Sequence, residues 1–120
     1  MERSETLTIG HIVQESETAD KLGSGGLAVY STPSMIALME HVSYLLAEKM
    51  GHCTVGTKVN ISHLRASKVG TALQATAEII EMDGRRIEYA VKVEDAQGTI
   101  GEGTHQRYII DPERFMAKLK

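Results

Sequence analysis

The sequence contains a single cysteine, no tryptophan and no excess of basic residues. The one thiol, Cys53, cannot form an internal disulfide, so a reducing compartment, the cytoplasm, is the expected location. Thirteen lysines and arginines against 16 acidic residues give a net charge of −3, which excludes the basic surface that nucleic-acid binding requires. No hydrophobic run approaches a membrane span, and the first residues lack the apolar segment of a signal peptide. We therefore expect neither nucleic-acid nor membrane partners.

Aromatic residues make up only 4% of the chain. The hydrophobic residues, 42% in total, must therefore build a core mainly from aliphatic side chains and methionines. A chain of 120 residues is long enough for one such core, and no linker or repeat divides it. The sequence predicts a single domain over residues 1–120.

The chain is organised around the stretch 30–64, whose first half predicts a long helix over residues 33–50. Ser31 or Thr32 can cap the free backbone amides, and Pro33 is favoured in the first turn of a helix. Gly51 stands where a left-handed residue ends many helices. Apolar residues recur at steps of three and four and predict one buried stripe: Met35, Leu38, Met39, Val42, Leu45, Leu46 and Met50.

Alternation of apolar and polar residues predicts five strands, over residues 5–13, 54–64, 70–82, 85–95 and 99–110. The dipeptide Asp83-Gly84 predicts a hairpin turn. A polar loop is predicted over residues 14–26, and a short helix near the C-terminus. Gly101 and Gly103 in the last strand indicate a bulge or the close approach of another backbone.

The elements follow one another as a strand, a long helix and a meander of four strands. An antiparallel sheet of about five strands that curls around the helix satisfies this order, which is an α+β fold. Since a single small sheet leaves a face or an edge to cover, we expect a homodimer.

Three side chains in this stretch are candidates for chemistry. Glu40 lies beside the apolar stripe, where an unpaired buried carboxylate is costly; the alternative is a glutamate on the solvated flank of the helix. His63 falls in register with an apolar strand face, so it is either a functional imidazole or a core histidine with satisfied hydrogen bonds. Thr32 has a complete structural explanation as a helix cap.

The sequence predicts neither a metal site nor a bound cofactor. His52 and Cys53 are adjacent but lack the further ligands that a zinc site needs. The chain contains no phosphate-binding glycine loop of Walker or Rossmann type and no G-x-S-x-G nucleophile motif. His105, two residues before Arg107, is interpreted as structural.

Four runs in the sequence carry a family resemblance: S-T-P-S-M-I-A-L-M-E, V-G-T-K-V-N-I-S-H-L, D-G-R-R-I and G-E-G-T-H-Q-R. Over about residues 27–118 the chain resembles the hotdog-fold acyl-CoA thioesterases, and within them the fluoroacetyl-CoA thioesterase branch. The resemblance implies a long central helix wrapped by a curved antiparallel sheet of about five strands. It also implies roles for five residues: Thr32, Glu40 and His63 in catalysis, and Gly56 and Arg107 in substrate binding.

The activity implied by this resemblance is hydrolysis of a short-chain acyl-CoA thioester to the free acid and CoA. Gly26 stands where the fluoroacetyl-specific branch has a phenylalanine lid, so the resemblance implies the reaction class and leaves the preference for a fluorinated acyl group open. A non-catalytic acyl-CoA-binding protein of the same fold is the alternative. A hotdog dehydratase would use a different Asp/His pairing, which the chain lacks.

Helix geometry separates two of the implied catalytic residues. Thr32 and Glu40 are eight residues apart, which is about 12 Å along a continuous helix and too far for their side chains to meet. Either the helix begins later than Pro33 or the residues meet across two chains. We expect the second, with two interface sites in a homodimer or higher homo-oligomer. The phosphates of CoA need cations, for which the candidates are Lys58, Arg65, Lys68, Arg85, Arg86 and Arg107.

Overall fold

The computed structural model describes residues 5–119, so the expected domain ends at 1 and 120 lie outside the described residues. The elements are β1 (Thr6–Ile12), a 3-10 turn (Glu15–Glu17), α1 (Ala19–Leu22), α2 (Thr32–Lys49), β2 (Thr54–His63), β3 (Ala72–Asp83), β4 (Arg86–Asp95), β5 (Gly98–Ile109) and α3 (Pro112–Ala117). Within that described range, no helix is long and apolar enough to cross a membrane.

Helix α2 is continuous over Thr32–Lys49, close to the predicted bounds. Its N-cap is Ser31, whose hydroxyl accepts a hydrogen bond from the backbone N–H of Ser34 at 3.2 Å. Thr32 is therefore the first helical residue, and the interpretation of Thr32 as the cap is wrong. The alternative of a later helix start is wrong as well. At the other end, Gly51 has the left-handed φ of 89° that the sequence predicted.

The five strands form one antiparallel sheet in the order β1-β3-β4-β5-β2. The predicted α+β architecture is confirmed, but the meander of four consecutive strands is wrong in one respect: β2 pairs with β5 and not with β3. The connection 64–71 takes the chain from β2 to β3 at the other side of the sheet. On the way it contacts the segment before α2, where Tyr30 donates its backbone N–H to the carbonyl of Ser67 at 2.8 Å. As a result, β2 is an edge strand.

The core lies between α2 and one face of the sheet, and it is built as the composition predicted. Each fully buried aliphatic or methionine side chain stabilises such a core by about 1.5–3 kcal/mol. Leu45 and Met50 of the predicted stripe are only half-buried. The buried hydrophobic residues are Val13, Tyr30, Met35, Leu38, Met39, Val42, Leu46, Ala47, Leu73, Ala75, Ala77, Ile87, Tyr89, Val91, Val93 and Ile100.

Two local predictions need correction. The stretch 14–26 is not a plain loop, because it contains the 3-10 turn and α1. The Glu17 carboxylate accepts the backbone N–H of Gln14 at 2.9 Å, a local bond that hydropathy does not reveal. The hairpin between β3 and β4 turns at Gly84 and Arg85, one residue later than predicted, since Asp83 still pairs with the opposite strand.

Gly101 and Gly103 allow the close approach that the sequence indicated. A side chain at position 101 would collide with the thioether of Met35 on α2. At position 103 it would collide with Asn60 and Ile61 on β2. Both α2 and β2 can therefore lie close to β5.

Candidate active site

Thr32 and His63 meet at the N-terminal end of α2. The Oγ1 atom of Thr32 lies 2.8 Å from Nδ1 of His63, a hydrogen bond that joins the first residue of α2 to the last residue of β2. The hydroxyl of Thr32 is free for this bond because Ser31 provides the cap. The structure thus brings together two of the residues implied by the resemblance.

The imidazole of His63 is half-buried, and only one of its two nitrogens makes a hydrogen bond within the described residues. Its Nε2 atom is buried and has no hydrogen-bond partner within residues 5–119. Burial lowers the pKa of His63 below its usual value of 6.5, and a hydrogen bond involving the backbone of Arg65 opposes part of this shift. His63 is therefore neutral at pH 7, and a neutral imidazole beside a hydroxyl can accept or pass on a proton.

An open groove of about 500 Å³ surrounds this pair. It lies where the free amides and the positive end of the helix dipole favour a developing negative charge. The groove is lined by Ala19, Ser24, Val29, Tyr30, Ser31, Thr32, Pro33, His63, Arg65 and Ala66.

A second group of polar residues lies two turns further along α2. The Oε2 atom of Glu40 is 4.0 Å from Nη1 of Arg107. A Cβ atom added at Gly56 would lie 2.7 Å from that same carboxylate oxygen and 3.3 Å from Arg107 Nη1. Only glycine at this position lets the carboxylate and the guanidinium approach β2 so closely.

The guanidinium of Arg107 is buried and held by residues of β2 and β5. Its Nε donates to Oγ1 of Thr54 at 2.7 Å, and Nη2 donates to the carbonyl of Thr54 at 3.1 Å. Its Nη1 lies 3.2 Å from Nε2 of His105. The Tyr44 ring lies 5.9 Å from Cζ, within cation–π range. Burial lowers the pKa of Arg107, but a guanidinium remains charged in proteins.

A bulge in β2 lets both Gly56 and His63 face α2. The register of β2 against β5 shifts between Gly56 and Lys58. Without the shift, Gly56 and His63 would point to opposite faces of the sheet, because side chains alternate along a strand. With it, Gly56 lies against Glu40, and His63 lies against Thr32.

The family was established by comparison with known proteins. The fluoroacetyl-CoA-specific thioesterase family (FlK) matches residues 13–113, which is most of the chain. The chain belongs to this family. It is an acyl-CoA thioesterase with a hotdog-like fold, as the sequence resemblance implied.

Individual known proteins are similar to this chain in sequence and in fold. The fluoroacetyl-CoA thioesterase of Streptantibioticus cattleyicolor is 31% identical over 119 residues, covering 94% of this chain and 81% of that protein. A single-residue variant of the FlK thioesterase, solved with fluoroacetate and CoA, has a TM-score of 0.88 and 28% identity, covering 96% of this chain and 99% of that one. A hot-dog-like protein from Thermanaerovibrio acidaminovorans has the same fold, with a TM-score of 0.84 and 19% identity, covering 94% of this chain and 86% of that one.

In this FlK-family thioesterase, one chain does not bring all five implied site residues together. Thr32 contacts His63, whereas Glu40 lies with Gly56 and Arg107. None of the hydrogen bonds and ion pairs between residues 5 and 119 connects these two groups. The separation agrees with the helix geometry derived from the sequence.

The residues that hold Arg107, Thr54 and His105, were not predicted in this role from the sequence. His105 and Arg107 occupy alternate positions of β5, which was a visible sign that both face the same side. Thr54 could not be found in this way, because the pairing of β2 with β5 leaves no local pattern in the sequence.

Proposed function

We propose that this FlK-family thioesterase hydrolyses short-chain acyl-CoA thioesters to the free acid and CoA, in the cytoplasm, where acyl-CoA occurs. The observation that carries the proposal is the contact between Thr32 and His63 in the groove at the start of α2. Variants of the FlK thioesterase have been solved with fluoroacetate and CoA and with acetyl-CoA. These two-carbon acyl groups support a short acyl chain for this protein as well.

The proposed mechanism distributes the chemistry over three side chains. His63 holds or moves a proton, and Thr32 orients the thioester or acts together with His63. In one route Glu40 attacks the carbonyl carbon, the C–S bond breaks, CoA leaves as the thiolate and takes up a proton, and water then hydrolyses the resulting anhydride. In the other route Glu40 is the base that takes a proton from water, and the water oxygen displaces CoA from the carbonyl carbon. Backbone amides in the first turn of α2 or near Gly56 stabilise the oxyanion that forms on attack.

We propose that the active unit is a homodimer with two sites, each formed by Thr32 and His63 together with Glu40 of the partner subunit. Because α2 is continuous, Glu40 of the same chain lies about 12 Å further along the axis. β2 is an edge strand whose residues 56–60 are exposed, and such an edge readily pairs with a second chain.

Mixing two inactive variants tests the shared site. Glu40→Gln and His63→Ala are unfolded together and refolded, with each variant refolded alone as the control. About half of the dimers are then mixed and each carries one intact site, so about a quarter of wild-type activity returns. If all three residues act within one chain, the mixture stays inactive. A fully active monomer in sedimentation at the assay concentration would also contradict the proposal.

We further propose that the enzyme does not select for fluorine. Gly26 is exposed, and apart from Gly26 and its two chain neighbours no residue has an atom within 4 Å of the position that its Cβ would occupy. A glycine provides no side chain that could close over the acyl group. We expect similar kcat/KM values for acetyl-CoA and fluoroacetyl-CoA, and a preference above about hundredfold for the fluorinated substrate would overturn this proposal.

Release of free CoA from a panel of acyl-CoA substrates, followed with a thiol reagent, tests the reaction itself. We expect the largest kcat/KM for the shortest acyl chains. Titration calorimetry with acetyl-CoA completes the test: tight binding without release of thiol from any substrate would support the non-catalytic binding protein and exclude the proposed hydrolysis.

The six candidate cations differ in what they can bind. Arg107 is too deeply buried, at 8% exposure, to reach the phosphates of CoA, so we propose that it binds the acyl end of the substrate. Arg86 is engaged by Glu81 and Glu88 at 3.3 and 3.1 Å. Arg65 lines the groove beside His63, but Asp95 binds its guanidinium at 2.7 Å, so we propose the exposed candidates for the phosphates: Lys58, Lys68 and Arg85. If Arg107→Ala leaves the KM for acetyl-CoA unchanged, its assignment is wrong.

A further inference from the structure

We propose that His105 is a positioning residue, which orients the guanidinium of Arg107 for substrate binding by offering it a neutral nitrogen acceptor. The inference rests on the proposed function, since it assumes that Arg107 binds the acyl-CoA substrate.

The hydrogen bonds of His105 define its tautomer. Its Nδ1 atom lies 2.8 Å from the carbonyl oxygen of Lys58, which can only accept, so Nδ1 carries the proton. Its Nε2 atom lies 3.2 Å from Arg107 Nη1, which can only donate, so Nε2 is the acceptor. The ring is therefore neutral, and burial, the largest influence on it, lowers the pKa of His105 in agreement.

The ring of His105 is held from several sides. It is 1% exposed, and it stacks on the buried ring of Tyr89 with the centroids 5.8 Å apart. The bond to Lys58 fixes it to β2, whereas Tyr89 belongs to β4. An imidazole with this support can define the direction of a neighbouring group.

The carboxylate of Glu40 can compete with His105 for the Nη1 donor of Arg107. Thr54 binds the Nε and Nη2 side of the group, and His105 binds Nη1. Glu40 lies 4.0 Å from the same Nη1, which is the limit of an ion pair. Without the Nε2 acceptor, Coulomb attraction would draw Nη1 toward the carboxylate of Glu40 and away from the substrate.

Two substitutions separate this role from packing. The amide nitrogen of asparagine can occupy the position of Nδ1 and keep the bond to Lys58, but His105→Asn has nothing at the position of Nε2. The longer glutamine side chain in His105→Gln can place its carbonyl oxygen there and accept from Arg107. Both variants lose the ring that stacks on Tyr89. The loss of packing is therefore similar in both, and a difference in their KM values reports on the acceptor for Arg107.

Steady-state kinetics with acetyl-CoA give the expected contrast. His105→Asn raises KM about tenfold or more, toward the value of Arg107→Ala, since a hydrogen bond to a charged group is lost. His105→Gln returns KM to within about threefold of the wild type, and kcat changes less than KM in both variants. Thermal midpoints of the two variants should fall by similar amounts.

Other results overturn the inference. Equal increases of KM in both variants mean that His105 acts by packing alone. Unchanged KM in both, with a raised KM in Arg107→Ala, removes the role of His105 and leaves the proposed function intact. An inactive wild type, or an Arg107→Ala enzyme with unchanged KM, instead removes the function on which the inference rests.

A measurement on the wild type covers the case in which the variants do not fold. Nitrogen NMR of histidine-labelled protein at pH 7 should show one histidine in the Nδ1-protonated neutral form, absent from the His105→Gln spectrum where that variant folds. If all histidine rings carry the proton on Nε2, or are charged, the inference is wrong.

Discussion

The two groups of polar residues, one around Arg107 and one formed by Thr32 and His63, differ in how many of their hydrogen-bond partners a single chain supplies. The Arg107 group is closed: the guanidinium is 8% exposed and donates to Thr54 and His105. The Thr32–His63 pair is open, because it borders a groove. The Nε2 atom of His63 is buried and has no partner in the described chain. The part assigned to substrate binding is thus preorganised within one subunit. The part assigned to proton transfer is left able to accept another group.

The difference follows from where each group lies in the fold. Arg107 lies on β5, between β4 and β2, and its hydrogen-bond partners come from β2 and from β5 itself. Thr32 begins α2 and His63 ends β2, so each lies at the end of its element, where fewer neighbours are available. The following experiments change one group at a time and ask whether the other responds.

The largest effect is expected for Glu40→Gln, which removes the charge that we assign to the reaction. We expect kcat to fall about 10³-fold, as for the loss of a catalytic acid or base. The free energy of unfolding should change by less than about 1 kcal/mol, because Glu40 is 43% exposed and 4.0 Å from Arg107. Kinetics and urea unfolding measure both. A variant that keeps its activity but is clearly less stable would show that Glu40 only supports Arg107 and takes no part in the reaction.

The pH profile isolates the open pair. Burial lowers the pKa of His63 below 6.5, so the ring becomes protonated only at lower pH. If neutral His63 is required, kcat/KM should lose less than about half of its value as the pH falls from 8 to 6.5, and then decrease about tenfold per pH unit below the pKa. Since burial also lowers the pKa of His105, the profile is repeated with His105→Gln, which should keep the acid limb. A pH profile whose midpoint of decrease in kcat/KM lies above pH 6.5 would contradict the assignment of this decrease to His63.

A smaller effect is expected for Gly56→Ala, which disturbs the closed group. The added methyl would lie 2.7 Å from Oε2 of Glu40 and 3.3 Å from Nη1 of Arg107. The carboxylate must move, so we expect kcat/KM to fall about tenfold or more with little loss of stability. Gly10→Ala is the control, because its nearest neighbour would lie 3.9 Å from the new methyl. Equal activity of both variants would show that the position of Glu40 is not critical.

The smallest effect is expected for Ser31→Ala, which removes the cap and leaves the contact between Thr32 and His63 in place. The free energy of unfolding should fall by about 1 kcal/mol, and kcat should stay within about twofold. Ser31→Thr, whose hydroxyl can still accept the N–H of Ser34 without adding a charge to this buried position, should restore stability. A large loss of kcat in Ser31→Ala with full activity in Ser31→Thr would mean that the cap also orients Thr32.

The sequence was informative where local chemistry decides the structure. The periodicity and end signals of α2 predicted its bounds, and its length alone separated Thr32 from Glu40. The sequence was not informative where distant strands decide. The pairing of β2 with β5 brings Thr54 to Arg107, and the bulge after Gly56 changes which residues of β2 face α2. The pairing has no signal in the nearby residues, and the only local sign of the bulge is Gly56 itself, since a glycine inside a strand often marks one. Both features are set by packing of the whole sheet.

Oxidants should reach the methionines of this protein unequally. Met116 is 62% exposed and Met82 is 43% exposed, whereas Met35 has no exposed surface and lies against Gly101. A sulfoxide oxygen on Met35 has no room in this contact and would be a polar group in the core. Peroxide can therefore modify Met35 only when α2 lifts from the sheet. Met35 lies one turn after Thr32, so its oxidation would hold that turn away from β5. Inactivation by peroxide should lag behind the modification of Met116 and follow the rate at which the helix opens.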